Sequence, residues 1–181
     1  MKLKILILVL ALQSAWLLGT ALVQERALAT GKVILLETQR VDPRDPLRGD
    51  YLILDYKISD VPTSLFSPPV TKDLQRDTKV FVALAPGTNQ FYEVVKASTN
   101  EFAPSADEVL LCGKSSARWW GRNANTNTVH VEYGLERYYV AEGTGNPTGK
   151  LTAQVVVPAS GHGHVKEVFV DGKPYAEAMK K

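Results

Sequence analysis

Residues 42–58, DPRDPLRGDYLILDYKI, constrain the fold more than any other stretch, because a rigid proline-rich lead-in there runs straight into a strand. Pro43 and Pro46 each fix φ and bias Asp42 and Asp45 away from helix, so the chain arrives extended or turned. Gly49 supplies a permissive backbone just before the strand. From Leu52 onward, Leu52, Leu54, Tyr56 and Ile58 fall on one face, while Ile53, Asp55 and Lys57 fall on the other with Tyr51. That period of two is expected of a continuous strand buried on one side.

Gly49, Asp50, Tyr51, Leu54 and Tyr56 spell G-D-Y-x-x-L-x-Y. A second block at 133–145, YGLERYYVAEGTG, places Tyr133, Gly134, Glu136, Arg137, Tyr138 and Tyr139 ahead of a Glu142-Gly143 turn. With both blocks in this order, the chain resembles the GDYXXLXY family of bacterial membrane-anchored proteins, for which no activity is established. The resemblance implies a single anchored domain, and a polytopic membrane protein as its natural partner.

Residues 5–23 carry no charge and only Gln13, Ser14 and Thr20 as polar side chains. As a helix they span about 28 Å, close to the thickness of a bilayer core. Lys2 and Lys4 precede the run, and Glu25 and Arg26 follow it, which orients the N-terminus to the cytoplasm and the rest outside. The run length and its flanks favour an anchor, residues 1–24, over a cleaved signal sequence cut near Gly19/Ala21 or Ala27/Ala29. The expected location is a bacterial inner or thylakoid-type membrane, crossed once, with the C-terminal domain periplasmic or lumenal.

The 181 residues leave room, after the anchor, for one domain over 30–181 with a real core. The formal charge of +2 is accounted for by Lys2 and Lys4, so the remainder is neutral and a basic nucleic-acid surface is excluded. Cys112, the single cysteine, rules out an intramolecular disulfide and sits in an apolar run expected to bury it. Strand-like runs at 31–40, 79–85, 90–97, 108–113, 128–133, 136–140, 151–157 and 165–170 alternate with turn signals. Pro86 to Asn89 marks an antiparallel hairpin, Asp171-Gly172 marks another, and 173–176 reads as a brief return strand. Pro62, Pro68 and Pro69 exclude a central strand over 59–78 and leave a loop with a short helical turn near 72–76. Trp119 and Trp120 form an adjacent pair in a polar, turn-rich segment. The pattern predicts a mainly β, antiparallel sandwich or small barrel-like domain after one N-terminal helix.

Chemistry is sparse along this chain. His162 and His164 lie two apart, which on a strand points both imidazoles to one face, but two ligands do not complete a metal site. His130 has no matching carboxylate pattern nearby in sequence, and no metal or other cofactor is expected. No G-x-S-x-G elbow or S-x-x-K motif is present. Arg48-Gly49-Asp50 before an apolar strand resembles the corresponding approach in type I signal peptidases, yet Ser14 lies inside the hydrophobic run and no downstream Ser/Lys pair matches that family's pattern.

For the motif residues the favoured roles are structural. Asp50 accepts turn N–H groups, and Tyr51 and Tyr56 bring apolar bodies whose hydroxyls need partners. Arg48 with Glu136, or Arg137 with Asp50 or Asp55, are candidate bridges between the blocks. The competing expectation is that Tyr51, Tyr56, Glu136, Arg137, Tyr138 and Tyr139 line one groove that grips a partner. Sequence alone therefore points to a non-catalytic binding or accessory domain. The alternatives are an envelope hydrolase or peptidase-like enzyme, or a carrier with a hollow apolar barrel.

Overall fold

A computed structural model describes residues 2–39, 51–70, 74–116, 127–141 and 147–180. Helix α1, Lys2–Thr30, continues beyond the uncharged run because Glu25 to Ala29 are good helix formers, and it stops at Gly31. Strands β1 (Lys32–Gln39), β2 (Tyr51–Ile53), β3 (Asp55–Tyr56) and β4 (Asp60–Pro62) follow. They are succeeded by β5 (Lys79–Pro86), β6 (Tyr92–Ser98), β7 (Val109–Ser115) and β8 (Thr128–Glu132). The last elements are β9 (Arg137–Tyr139), β10 (Leu151–Val157), β11 (His164–Val170), β12 (Lys173–Pro174) and a short helix α2 (Tyr175–Ala178).

The fold is mainly β and its paired strands run antiparallel. One sheet has the order β12-β11-β10-β1-β3, a second β4-β8-β7-β5-β6, and β2 and β9 form a separate ribbon. The strands form a nearly closed, barrel-like arrangement around one core that takes Ile34, Leu36 and Val155 from the first sheet and Val80, Leu111 and Val131 from the second. The expected hairpin between β5 and β6 is present, as is the Asp171-Gly172 turn, whose two residues both hold positive φ and join β11 to β12. Prolines sit where their missing N–H does least harm: Pro62 is on edge strand β4 and Pro174 on edge strand β12.

The stretch expected to form one continuous strand is broken. Tyr51–Ile53 pairs with β9 in the ribbon, and Asp55–Tyr56 pairs with β1 in the first sheet. A 3-10 turn over Lys57–Ser59 then leads to Asp60–Pro62, which pairs with β8 in the second sheet. Twelve residues thus visit all three sheets. The alternation survives the break: Leu52, Leu54, Tyr56 and Ile58 are all buried, each at 5 % exposure or less. Parity reports which side faces the core, and the segment bends around that core without turning its apolar side away.

The short helix α2 replaces the second half of the expected return strand over 173–176. The helical turn expected near 72–76 lies partly outside the described residues, and the Trp119-Trp120 pair lies wholly outside them.

Candidate functional site

The two motif segments meet at the corner where the chain passes from the ribbon to the first sheet. Leu54 interrupts the strand, and its N–H donates to the Glu136 carbonyl at 2.8 Å. The Tyr56 hydroxyl donates to the Leu135 carbonyl at 2.9 Å, and the Tyr133 hydroxyl donates to the Ile58 carbonyl at 2.8 Å. Each segment therefore sends a buried tyrosine to a backbone carbonyl of the other. Both phenols are pushed above their ordinary range, first by burial and then by the Glu136 charge, so they remain donors at any ordinary pH. A buried carbonyl left without such a donor costs about 1–3 kcal/mol, so these bonds stabilise the corner against opening.

Gly134 and Glu136 shape the turn that delivers the second segment. Gly134 has φ +77°, a conformation that L side chains rarely adopt. The Glu136 side chain folds back and accepts the Tyr133 N–H at 2.6 Å. Burial raises the pKa of the Glu136 carboxyl, against the backbone hydrogen bonds from Tyr133 and from its own N–H. Its chemistry in this position is that of a turn clamp.

Other residues of the same two segments, on β2 and β9, point outward. Tyr51 and Tyr139 are in register, their ring centroids are 6.1 Å apart, and the Arg137 guanidinium lies 5.9 Å from the Tyr51 ring centre. Tyr139 is 71 % exposed. Between them Tyr138 turns inward, where it meets the edge of the Tyr175 ring at 6.2 Å. The six residues expected on one groove are thus divided: Tyr56, Glu136 and Tyr138 face the interior, and Tyr51, Arg137 and Tyr139 form the outer face. Leu54 lies in the core with 0 % exposure. Arg48, Gly49, Asp50, Glu142 and Gly143 lie outside the described residues, and with them the Arg48–Glu136 and Arg137–Asp50 bridges.

The histidines are placed apart. His164 opens β11 opposite Val156, while His162 lies exposed in the preceding turn with Nδ1 3.1 Å from the Ser160 carbonyl. Of these two, only His164 is on a strand, so the strand alternation expected to align the pair does not extend to His162. Among the described residues no group of three His, Cys, Asp or Glu side chains is placed to hold a metal ion. His130 has a carboxylate that sequence reasoning missed: Asp60, in register on β4, lies 3.0 Å from its Nδ1. The two are 70 residues apart, and no local signal links them. Cys112 is buried, which pushes its thiol pKa up, and it packs against Gly161, where a Cβ would come within 2.6 Å of the sulfur.

An open groove of about 570 Å³ lies where α1 joins the domain, lined by Thr30, Lys32, Phe102, Pro104, Val157 and Pro158 among others. Lys32 is held across one side of it by the Asp107 carbonyl, 2.9 Å from Nζ. This concavity was not legible in the sequence, because residues 30–32, 101–110 and 157–159 converge only in the fold.

A family model described as GDYXXLXY protein matches residues 13–168, most of the chain and both motif segments. No curated protein and no solved structure matches it.

Proposed function

The chain belongs to the GDYXXLXY family, and from that premise we propose a membrane-anchored, non-catalytic accessory domain that serves a polytopic membrane protein. The observation that carries this reading is α1: within Leu3–Thr30 an 18-residue window has mean hydropathy 2.2, and none of that window is buried. Leu12 and Trp16 are more than 70 % exposed, a costly arrangement in water and an ordinary one in lipid. In this reading Lys2 and Lys4 stay on the cytoplasmic side and the β domain stands on the periplasmic side. The inner residues of the two motif segments build the domain, and Tyr51, Arg137 and Tyr139 offer the partner an aromatic and cationic contact.

The test is a pull-down of tagged full-length protein from its native membrane in mild detergent, beside a version lacking residues 1–24. A stoichiometric polytopic protein recovered with the full-length chain is the expected result. Its retention by the shortened version assigns the contact to the β domain. Recovery of the protein alone contradicts the accessory role.

A further inference from the structure

Three of the polar side chains in and just after the uncharged run share one face of α1. Leu6, Leu10, Gln13, Leu17, Thr20, Gln24 and Ala27 alternate spacings of four and three, the seam of a left-handed helix pair. Gln13 sits at the middle of the 5–23 run, so in a bilayer its amide lies near the hydrocarbon centre. The Thr20 hydroxyl is satisfied within the helix by the Leu17 carbonyl at 2.9 Å. Ser14 lies about 100° round the helix, and a serine hydroxyl can reach its own preceding turn in the same way. Gln13 differs from both. Its amide carries two donors and an acceptor, it is exposed, and no side-chain partner holds it among the described residues. Water does not reach that depth, so a partner must come from another membrane-embedded segment.

We propose that α1 pairs with α1 of a second copy through this seam, with Gln13 bonded to Gln13 of the copy. The amide is self-complementary, so a two-fold axis through Gln13 satisfies a donor and an acceptor on each side at once. Two copies inserted with the same orientation are parallel, which places every seam residue opposite its own counterpart and lets the polar pair fix the register. The apolar neighbours Leu6, Leu10 and Leu17 supply the packing on either side of it. This inference rests on the membrane-anchored reading. It adds that the accessory domain is presented as a pair.

The experiment is oxidative cross-linking of the full-length chain in membranes. Ala27→Cys places a thiol on the seam just beyond the hydrocarbon run, and Ala29→Cys places one about 200° away on the same helix. Cys112 is common to both variants. The expected result is a disulfide-linked dimer from Ala27→Cys at several times the yield from Ala29→Cys. Gln13→Leu should weaken association about three- to thirty-fold, and Gln13→Asn should restore much of it. Equal yields from the two cysteines, or indifference to Gln13→Leu, overturn the pairing. A cross-linked product containing a different protein also overturns it, and assigns the seam to that protein's helix. Recovery of the chain in the soluble fraction after membrane sedimentation removes the anchored reading itself, an outcome distinct from a membrane-bound chain that does not cross-link.

Discussion

The inner and outer sides of the two motif segments have opposite characters. On the inside, Leu54, Tyr56 and Tyr133 are buried, and the Tyr56 and Tyr133 hydroxyls tie together residues 79 and 75 positions apart in sequence. Outside, the Tyr51 ring meets Tyr139 and Arg137 at about 6 Å; Tyr51 is half-buried, and Arg137 and Tyr139 are exposed. A recognisable motif therefore need not be one site. Here alternate positions serve alternate purposes, with the inner set joining three sheets and the outer set free for contact.

The inner face depends most on Leu54, which has no exposed surface. Leu54→Ala should lower stability by about 2–5 kcal/mol, measured by urea unfolding of the full-length protein in mild detergent. A loss under about 1 kcal/mol would mean the corner repacks freely. Tyr56→Phe and Tyr133→Phe each leave a buried carbonyl without its donor and should cost about 1–3 kcal/mol in the same assay. Gly134→Ala strains a residue at φ +77° and should cost about 1 kcal/mol, although nothing lies within 4 Å of the added methyl.

Two carboxylates sharpen the contrast by pH. Glu136 has a raised pKa because it is buried, so its favourable contribution is complete below the ordinary carboxylate range and is lost as pH rises through its folded value. Glu37, between Lys150 and Lys57 on the surface of β1, has a lowered pKa from their hydrogen bonds. Its contribution is present above the ordinary range and is lost as pH falls through its folded value. Unfolding across mildly acidic pH should show Glu136→Gln and Glu37→Gln changing the slope in opposite senses, and equal slopes would remove the distinction. The smallest effect belongs to the outer face: Arg137→Ala or Tyr139→Ala should shift stability by no more than about 0.5–1 kcal/mol while weakening partner recovery in the pull-down.

Much of the interior was readable in advance because alternation is a local property. Leu52, Leu54, Tyr56 and Ile58 point inward as their parity requires, and the β5–β6 and β11–β12 turns fall at Pro-Gly and Asp-Gly signals. The break at Leu54 was not readable, since it depends on the Glu136 carbonyl 82 residues later. The same holds for Asp60 and His130, which meet only through strand register. Helix α2 has four residues, too few to display a helical period. Parity already set Tyr51 apart from Tyr56; the pairing of Tyr51 with Tyr139 across the ribbon, which gathers the outer aromatics together, is what parity in one strand cannot supply.

If the two motif segments act as one clasp, a double-mutant cycle on Tyr56→Phe and Tyr133→Phe will show their bonds to be coupled. The two bonds cross the same corner in opposite directions, so losing one should reduce the worth of the other. The predicted outcome is a coupling of about 0.5–3 kcal/mol, with the double variant less damaged than the sum of the singles. Additivity to within about 0.3 kcal/mol would contradict the clasp and leave two independent tyrosine contacts in its place.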